Sequence, residues 1–252
     1  MPQIGAAGQR AIESARVLIV GLGGLGSPAA LYLAAAGVGR GARGRLVLAD
    51  FDVVEVSNLQ RQIAHVTDRA GQLKTHSARL ACLAIDPALS IDTLDHGLDE
   101  DDLDEQVPRM DLVLDCTDNF ATRIAINAAC VRAGVPLVSG AAIRFDGQIM
   151  TVDPRRAGTP CYRCLYQGGG QDGGQDDGLD ELDTCTQAGI LGPVVGLVGC
   201  LQALEALKLL CDAGQSLVGR LVLIDGLSMS VDEISLAPRP GCPVCPTRPG
   251  SA

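Results

Sequence analysis

Short apolar runs alternate with longer helix-like segments along the first half of the chain, and polar residues or glycines follow each run. Apolar runs of this length with polar boundaries are typical of strands buried on both faces of a parallel sheet. The pattern therefore predicts an α/β fold with a mainly parallel central sheet. We expect strands at residues 17–20, 46–50, 89–94, 112–118 and 136–139, and helices at residues 27–36, 72–85 and 120–133.

The second half of the chain loses this alternation and predicts added antiparallel strands. Residues 147–152 follow the last parallel strand as a hairpin partner, and two closing strands are expected at residues 221–225 and 231–236. Residues 190–211 form a long apolar segment that contains glycine, proline, glutamate and lysine. These interruptions favour a buried helix over a membrane span.

The composition is that of a single intracellular domain. The chain has 252 residues, of which 47% are hydrophobic, and 20 basic against 30 acidic residues give a net charge of −10. Nucleic-acid surfaces need Lys and Arg patches, so we expect no nucleic-acid partner, no membrane and a cytoplasmic location. One domain is expected over residues 1–252, with a mobile glycine-rich loop at 167–184 and a solvated acidic loop at 99–105.

A glycine-rich turn joins the first predicted strand to the first predicted helix. Glycines permit a tight turn and a close approach of backbone N–H groups to a ligand, while the helix N-terminus behind them favours negative charge. The motif predicts a nucleotide phosphate site, although a tight turn without a ligand has the same pattern. Ser27 is expected to cap the helix. The glycines are Gly21, Gly23, Gly24 and Gly26.

Polar residues follow two of the predicted strands at their carboxyl ends, where open α/β sheets bind ligands. Asp50 has the position of the acid that binds ribose hydroxyls in dinucleotide folds. Asp118 has two possible roles, as a magnesium ligand or as the N-cap of the next helix. Arg61 and Lys74 would be ordinary solvated charges in the absence of other information. The three histidines have no common spacing and are expected to be structural or surface residues.

Two CxxC pairs offer the four thiolates of a closed, structural zinc site. A redox dithiol is the alternative for either pair alone, but two pairs in an intracellular chain favour zinc. The pairs are Cys161 with Cys164 and Cys242 with Cys245. Cys185, between a glycine-rich segment and a long helix, is either a free thiol or a nucleophile with a lowered pKa.

An ordered set of motifs resembles the ThiF/MoeB/HesA family, which consists of adenylyltransferases related to ubiquitin-activating enzymes. The motifs span nearly the whole chain, and they are GLGGLGSPAA, SNLQRQ, CTDNFATR, CYRC, LGPVVG, LQALEALKLL and GCPVC. The resemblance implies a Rossmann-like ATP-binding fold with structural zinc. It also implies adenylation of the C-terminal glycine of a ubiquitin-like sulfur carrier protein ending in Gly-Gly, for sulfur transfer.

The resemblance also assigns roles to individual residues. The glycine turn would lie under the phosphates and Asp50 at the ribose. Asn58, Arg61 and Lys74 would lie near the triphosphate. Asp118 would carry Mg²⁺, Asn119 would also belong to the nucleotide site, and Cys185 would take part in sulfur transfer. A homodimer and a separate sulfur donor such as a cysteine desulfurase are implied, in thiamine or molybdopterin biosynthesis; CYRCLY and NAAC favour thiamine.

One departure from the family pattern concerns the N-terminus. Family members usually begin with a segment like RYxRQ, whose arginine reaches a neighbouring subunit's ATP site, whereas this chain begins MPQIGAAGQ. Arg40, Arg43 and Arg45 are candidate replacements for that cation. Two other functions remain open from the sequence, a non-catalytic carrier-binding partner and an NAD-dependent oxidoreductase.

Overall fold

The computed structural model describes residues 1–166 and 189–245, so the whole segment predicted to be mobile, 167–184, lies outside the described residues. Its eight-stranded sheet has the order β3-β2-β1-β4-β5-β6-β7-β8. The first five strands in that order are parallel, and the last three pair antiparallel. The strands are β1 Arg16–Val20, β2 Arg45–Ala49, β3 Ile91–Leu94, β4 Leu112–Asp115, β5 Leu137–Ile143, β6 Asp146–Val152, β7 Arg220–Asp225 and β8 Ser230–Ser235.

Six α-helices flank the sheet in the described residues. They are α1 Gly5–Ser14, α2 Gly26–Ala35, α3 Lys74–Ile85, α4 Glu100–Gln106, α5 Phe120–Ala133 and α6 Gly192–Cys211. The predicted α/β class and the added antiparallel strands are confirmed. Helix α1 was not predicted, although Ile4, Gly8 and Ile12 have the four-residue spacing of one helical face. Gly8 faces α6, where a Cβ atom would lie 3.0 Å from Cys211 Cβ.

Strand β1 shows why the apolar runs are continuous rather than alternating. Val17 and Ile19 belong to one hydrophobic cluster, on the face covered by α2 and α6. Leu18 and Val20 belong to a second cluster, on the face covered by α5. Because both faces of the strand are buried, apolar side chains occupy every position.

Helix α6 is long and apolar enough to cross a membrane by length and composition, with a mean hydropathy of 1.8. Its polar side chains are nevertheless bonded to the sheet region. Gln202 Nε2 donates to the Asp115 carbonyl at 2.7 Å, and the buried Glu205 carboxylate accepts from Thr151 Oγ1 and from the Leu217 N–H. These bonds, together with its packing on α2 and β5, confirm the predicted buried helix.

Three local predictions are wrong. The predicted acidic loop at 99–105 contains α4, because Asp99 and Asp102 form a reciprocal capping box that stabilises the helix N-terminus. The predicted strand 112–118 ends at Asp115, where the pairing with β1 and β5 stops. Ser27 does not cap α2; it lies within the helix, and its hydroxyl donates to the Leu22 carbonyl at 3.2 Å.

Candidate functional site

A cavity of about 330 Å³ opens at the carboxyl ends of β1, β2 and β4. Strand β1 has β2 on one side and β4 on the other. The chain therefore adds strands on one side of β1 up to β3 and then on the other side from β4 onwards. Open α/β sheets bind ligands at such switch points. The chemically informative residues of the wall are Gly21, Gly23, Gly24, Asp50, Asp52, Arg61, Gln62, Lys74, His96, Asp118, Asn119, Thr122 and Arg123.

The glycine turn forms the floor of the cavity, and two of its glycines are required by the geometry. Gly21 has φ +90°, a conformation that L side chains rarely adopt, and a Cβ there would lie 2.7 Å from the Cys116 carbonyl. A Cβ on Gly26 would lie only 1.9 Å from the Gly21 carbonyl. The turn therefore brings the start of α2 against the ends of β1 and β4, with its helix N-terminus directed at the cavity region.

Asp50 lies in the cavity wall, directly after β2, with its carboxylate fixed by backbone donors. One oxygen accepts from the Leu22 N–H at 2.7 Å, and the other accepts from the Asp52 N–H at 2.8 Å. Burial raises the pKa of Asp50 above its ordinary value, while the nearby Lys74 charge opposes that shift. The carboxylate thus braces the glycine turn and keeps its remaining lone pairs for a ligand hydroxyl.

The two predicted cations lie in the same wall. Lys74 is only 5% exposed, and its Nζ donates to Asp52 Oδ2 at 2.7 Å. Arg61 Nη2 donates to Asn58 Oδ1 at 2.7 Å. Asn58 is outside the cavity wall and acts on it by orienting Arg61. A buried lysine and an oriented arginine beside a glycine turn are suited to a polyphosphate.

Asp118 and Asn119 form the edge of the cavity between β4 and α5. Both are exposed, and Asn119, not Asp118, is the N-cap of α5, because its side-chain oxygen accepts from the Thr122 N–H at 3.0 Å. The capping role proposed as an alternative for Asp118 is therefore wrong. Its carboxylate has no hydrogen bond or ion pair among those of the described residues, which leaves it available to a metal ion.

Arg123 is a site residue that sequence reasoning missed. It is 6% exposed, and its guanidinium donates to the carbonyls of Gly140 and Thr117 and lies 3.7 Å from Asp115 Oδ2. Although burial opposes its charge, the Asp115 carboxylate holds the pKa of Arg123 above its ordinary value. Its place four residues after the N-cap, on the inward face of α5, was the available signal.

Gln62 and His96 were also missed as cavity residues. Gln62 is 4% exposed, and among the described residues its Oε1 has no hydrogen-bond partner. An unpaired buried acceptor beside a cavity indicates a donor supplied by a ligand or water. His96, expected to be structural or a surface residue, lies in the wall and its Nε2 is 3.2 Å from Asp102 Oδ2.

The four cysteines of the two CxxC pairs converge on one point. Their Sγ atoms all lie within 4.8 Å of one another, with Cys161 Sγ 3.9 Å from Cys164 Sγ and 3.7 Å from Cys242 Sγ. Cys164 Sγ is 3.3 Å from Cys245 Sγ. Four thiolates at tetrahedral positions around zinc would be about 3.8 Å apart. This four-cysteine cluster therefore fits a zinc ion, and it ties residues 242–245 to the body of the domain.

The ThiF family profile matches residues 1–244 of this chain. The chain belongs to the ThiF family. Molybdopterin-synthase adenylyltransferase of Escherichia coli (strain K12) is 47% identical over 94% of this chain and 90% of that protein. Sulfur carrier protein ThiS adenylyltransferase of the same organism is 44% identical over 94% of this chain and 88% of that protein. Both names agree with the enzyme class predicted from the motifs.

Solved structures agree on the fold. A crystal structure of E. coli MccB with ATP superposes with a TM-score of 0.79, at 24% identity, over 94% of this chain and 68% of that one. This likeness confirms the Rossmann-like fold predicted from the ThiF-family resemblance.

The structure brings most of the predicted site residues together and separates a few. Of the predicted nucleotide ligands, Asn58 and Gly26 do not line the cavity. Arg40, Arg43 and Arg45 lie at or just before the start of β2, at the opposite end of the strands, and Arg40 and Arg45 pair with Asp86 and Asp92, so they add no cation to the cavity of the same chain. Their role at a neighbouring subunit's cavity stays a prediction. Cys185 lies outside the described residues.

Proposed function

We propose that this ThiF-family chain adenylates the C-terminal glycine of a ubiquitin-like sulfur carrier protein, with ATP as the nucleotide donor. One observation carries the proposal: a glycine turn, Arg61, Lys74 and Asp118, whose carboxylate has no partner among the described residues, share one cavity at the sheet's switch point. Relatives named molybdopterin-synthase and ThiS adenylyltransferases match over 94% of the chain and support it. The retained cations favour an enzyme over a non-catalytic carrier-binding partner.

The proposed reaction needs positioning and charge neutralisation more than proton transfer. The carrier's terminal carboxylate attacks the α-phosphorus of ATP, a new O–P bond forms, and the bond to the departing pyrophosphate breaks. No general base is needed because the carboxylate is already ionised. Arg61 and Lys74 would stabilise the negative charge that develops on pyrophosphate. Mg²⁺ held by Asp118 would supply further neutralisation of the phosphates.

Carrier-dependent exchange of labelled pyrophosphate into ATP tests this assignment. The wild-type protein should exchange only when a carrier with a free Gly-Gly terminus is present. Asp118→Ala should reduce the exchange by roughly 100-fold or more, because a charge-stabilising group is lost. Asp101→Ala, an exposed acid on α4 away from the cavity, is the matched control and should exchange normally. Normal exchange by Asp118→Ala would exclude the magnesium role.

The pathway is a finer question that the same assay separates. Relatives named for molybdopterin synthase and for ThiS match at 47% and 44% identity, which are too similar to favour one carrier. We propose that the carrier serves thiamine or molybdopterin biosynthesis and that a separate sulfur donor, such as a cysteine desulfurase, acts after adenylation. Exchange with a ThiS-type but not a MoaD-type carrier would assign thiamine, and the reverse result molybdopterin.

We propose further that Cys185 acts only after adenylation: its thiolate attacks the acyl adenylate to form a thioester with release of AMP, or it carries a sulfane sulfur from the donor's persulfide that attacks the acyl adenylate with the same release of AMP. Adenylation uses phosphate ligands, none of which is a thiol. Cys185→Ala should therefore keep pyrophosphate exchange while formation of the carrier thiocarboxylate falls. Formation of thiocarboxylate at the wild-type rate would exclude this covalent role.

A homodimer is also proposed, with the apolar side of the packed helices α2 and α6 as its interface. Tyr32, Leu197 and Leu204 are 56%, 43% and 52% exposed there. Exposed apolar side chains on adjacent elements are typical of contact surfaces. Light scattering should give twice the chain mass for the wild type and a lower mass for Leu204→Lys; a wild-type monomer would contradict the proposal.

A further inference from the structure

Half of the chain's aromatic residues are packed in one place. The sequence has three Phe, three Tyr and no Trp. Phe120 and Tyr166 meet edge to face with their ring centroids 5.0 Å apart, and Tyr162 lies 5.2 Å from Tyr166 and 6.5 Å from Phe120. These spacings are those of favourable aromatic pairs. We call these three residues the aromatic cluster; none of them lines the nucleotide cavity.

One side of the aromatic cluster is built on the cysteine segments. Tyr162 lies between Cys161 and Cys164, and Tyr166 follows two residues later. The carbonyl of Tyr166 accepts from Arg239 Nη1 at 2.8 Å, while the Arg239 N–H donates to Cys164 Sγ at 3.3 Å. Both chain segments that supply the cysteines therefore set the positions of the two tyrosine rings.

The other side of the aromatic cluster is the start of α5. Phe120 is the first residue of that helix and directly follows Asn119 at the cavity edge. The N–H of Tyr162 donates to Asn127 Oδ1 in the same helix at 2.9 Å. The guanidinium of Arg123, whose charge interacts favourably with Tyr162, donates to the Thr117 carbonyl just before the edge. The first turns of α5 are thus held by the tyrosines.

We propose that the aromatic cluster is a positioning device that couples metal occupancy of the four-cysteine cluster to the Asp118–Asn119 edge of the nucleotide cavity. The inference rests on the proposed binding of ATP in that cavity. A tetrahedral metal centre fixes the separation of the cysteine segments, and the tyrosine rings transmit that separation to Phe120. Without either the metal or the ring contacts, the edge that carries Asp118 loses its support and nucleotide affinity falls.

The first test measures ATP binding by calorimetry, with Mg²⁺ present, in zinc-loaded variants. Phe120→Leu should raise the Kd for ATP by about 5- to 20-fold. Changes of this size are typical of residues that influence a binding site without touching the ligand. The zinc content of Phe120→Leu should be unchanged, and Phe120→Tyr, which keeps an aromatic ring, should bind ATP with the wild-type affinity. Phe145→Leu is the matched control, because Phe145 is 37% exposed against 36% for Phe120 and is outside the cavity wall. A wild-type Kd in Phe120→Leu would overturn the proposal.

The second test is a cycle between the metal and the ring. Removal of zinc by a chelator should weaken ATP binding in the wild type. It should weaken binding little further in Phe120→Leu, because the contact between the tyrosine rings and α5 is already lost in that variant. Equal weakening in both proteins would overturn the proposal. If zinc-free protein unfolds, zinc-loaded Tyr166→Leu takes its place in the cycle, with Tyr166→Phe as its control. Failure of the zinc-loaded wild type to bind any ATP would instead contradict the proposed function.

Discussion

The buried imidazole of His65 shows how a single residue supports the glycine turn. Its Nε2 donates to the Leu22 carbonyl at 2.9 Å, and its Nδ1 accepts from the Ser77 hydroxyl at 3.0 Å, so the neutral ring satisfies both contacts. Burial lowers the pKa of His65, and the charges of Lys74 and Arg69 act in the same direction. The folded protein therefore holds the His65 ring in its neutral form, and the structural role expected for His65 is confirmed.

This pKa direction predicts how stability changes with pH. Because the folded pKa is below the unfolded value of about 6.5, the unfolded chain takes up a proton first as the pH falls. The His65 contribution to stability is complete above that pH and is lost as the pH falls through the folded pKa. The free energy of unfolding, measured by urea titration, should fall between pH 7.5 and pH 5.5 by less in His65→Gln than in the wild type.

At the scale of elements, the contact between the glycine turn and α2 determines whether the cavity has a floor. Two helical glycines make this testable, because their surroundings differ. A Cβ on Gly26 would lie 1.9 Å from a backbone carbonyl, whereas a Cβ on Gly196 in α6 would meet nothing within 4 Å. The first glycine is required by close packing, and the second only lowers helix propensity.

Alanine at these two positions should have opposite effects. Gly26→Ala should destabilise the fold by about 3 kcal/mol or more, because the clash is with backbone and cannot be relieved by a rotamer change. Gly196→Ala should stabilise the fold by about 0.5–1 kcal/mol through helix propensity. Chemical denaturation measures both values. A neutral Gly26→Ala would contradict the described packing of the turn.

At the scale of the whole molecule, the four-cysteine cluster joins the C-terminal segment to the second hydrophobic cluster, to which Cys161 and Cys242 belong. We expect about one zinc per chain. Cys242→Ser should lose the metal and lower the Tm by roughly 5 °C or more, since metal binding adds to the folding free energy. Cys200→Ser, a half-buried thiol on α6, should keep both. Unchanged zinc content in Cys242→Ser would exclude the shared site.

How much of this molecule could be predicted depended on how local each signal is. Residues adjacent in the sequence determine three features, which were therefore predicted: the strands buried on both faces, the glycine turn and the CxxC pairs. The helix at Glu100–Gln106 was missed because its acidic composition is typical of a solvated loop, whereas the capping box of Asp99 with Asp102 that stabilises it is seen only in the structure. Arg123 and Gln62 were missed although both end a quoted family motif, because only long-range packing shows that their side chains reach the cavity.

Transfer of AMP to the carrier carboxylate, as proposed for this cavity, is detected most directly by the mass of the carrier. The purified protein is incubated with ATP, Mg²⁺ and a carrier ending in Gly-Gly, and the carrier is analysed by mass spectrometry. We expect the carrier to become heavier by the mass of one AMP, and we expect no such increase when its terminal glycine is removed. A carrier of unchanged mass, while ATP is bound or hydrolysed, would contradict the proposed adenylation.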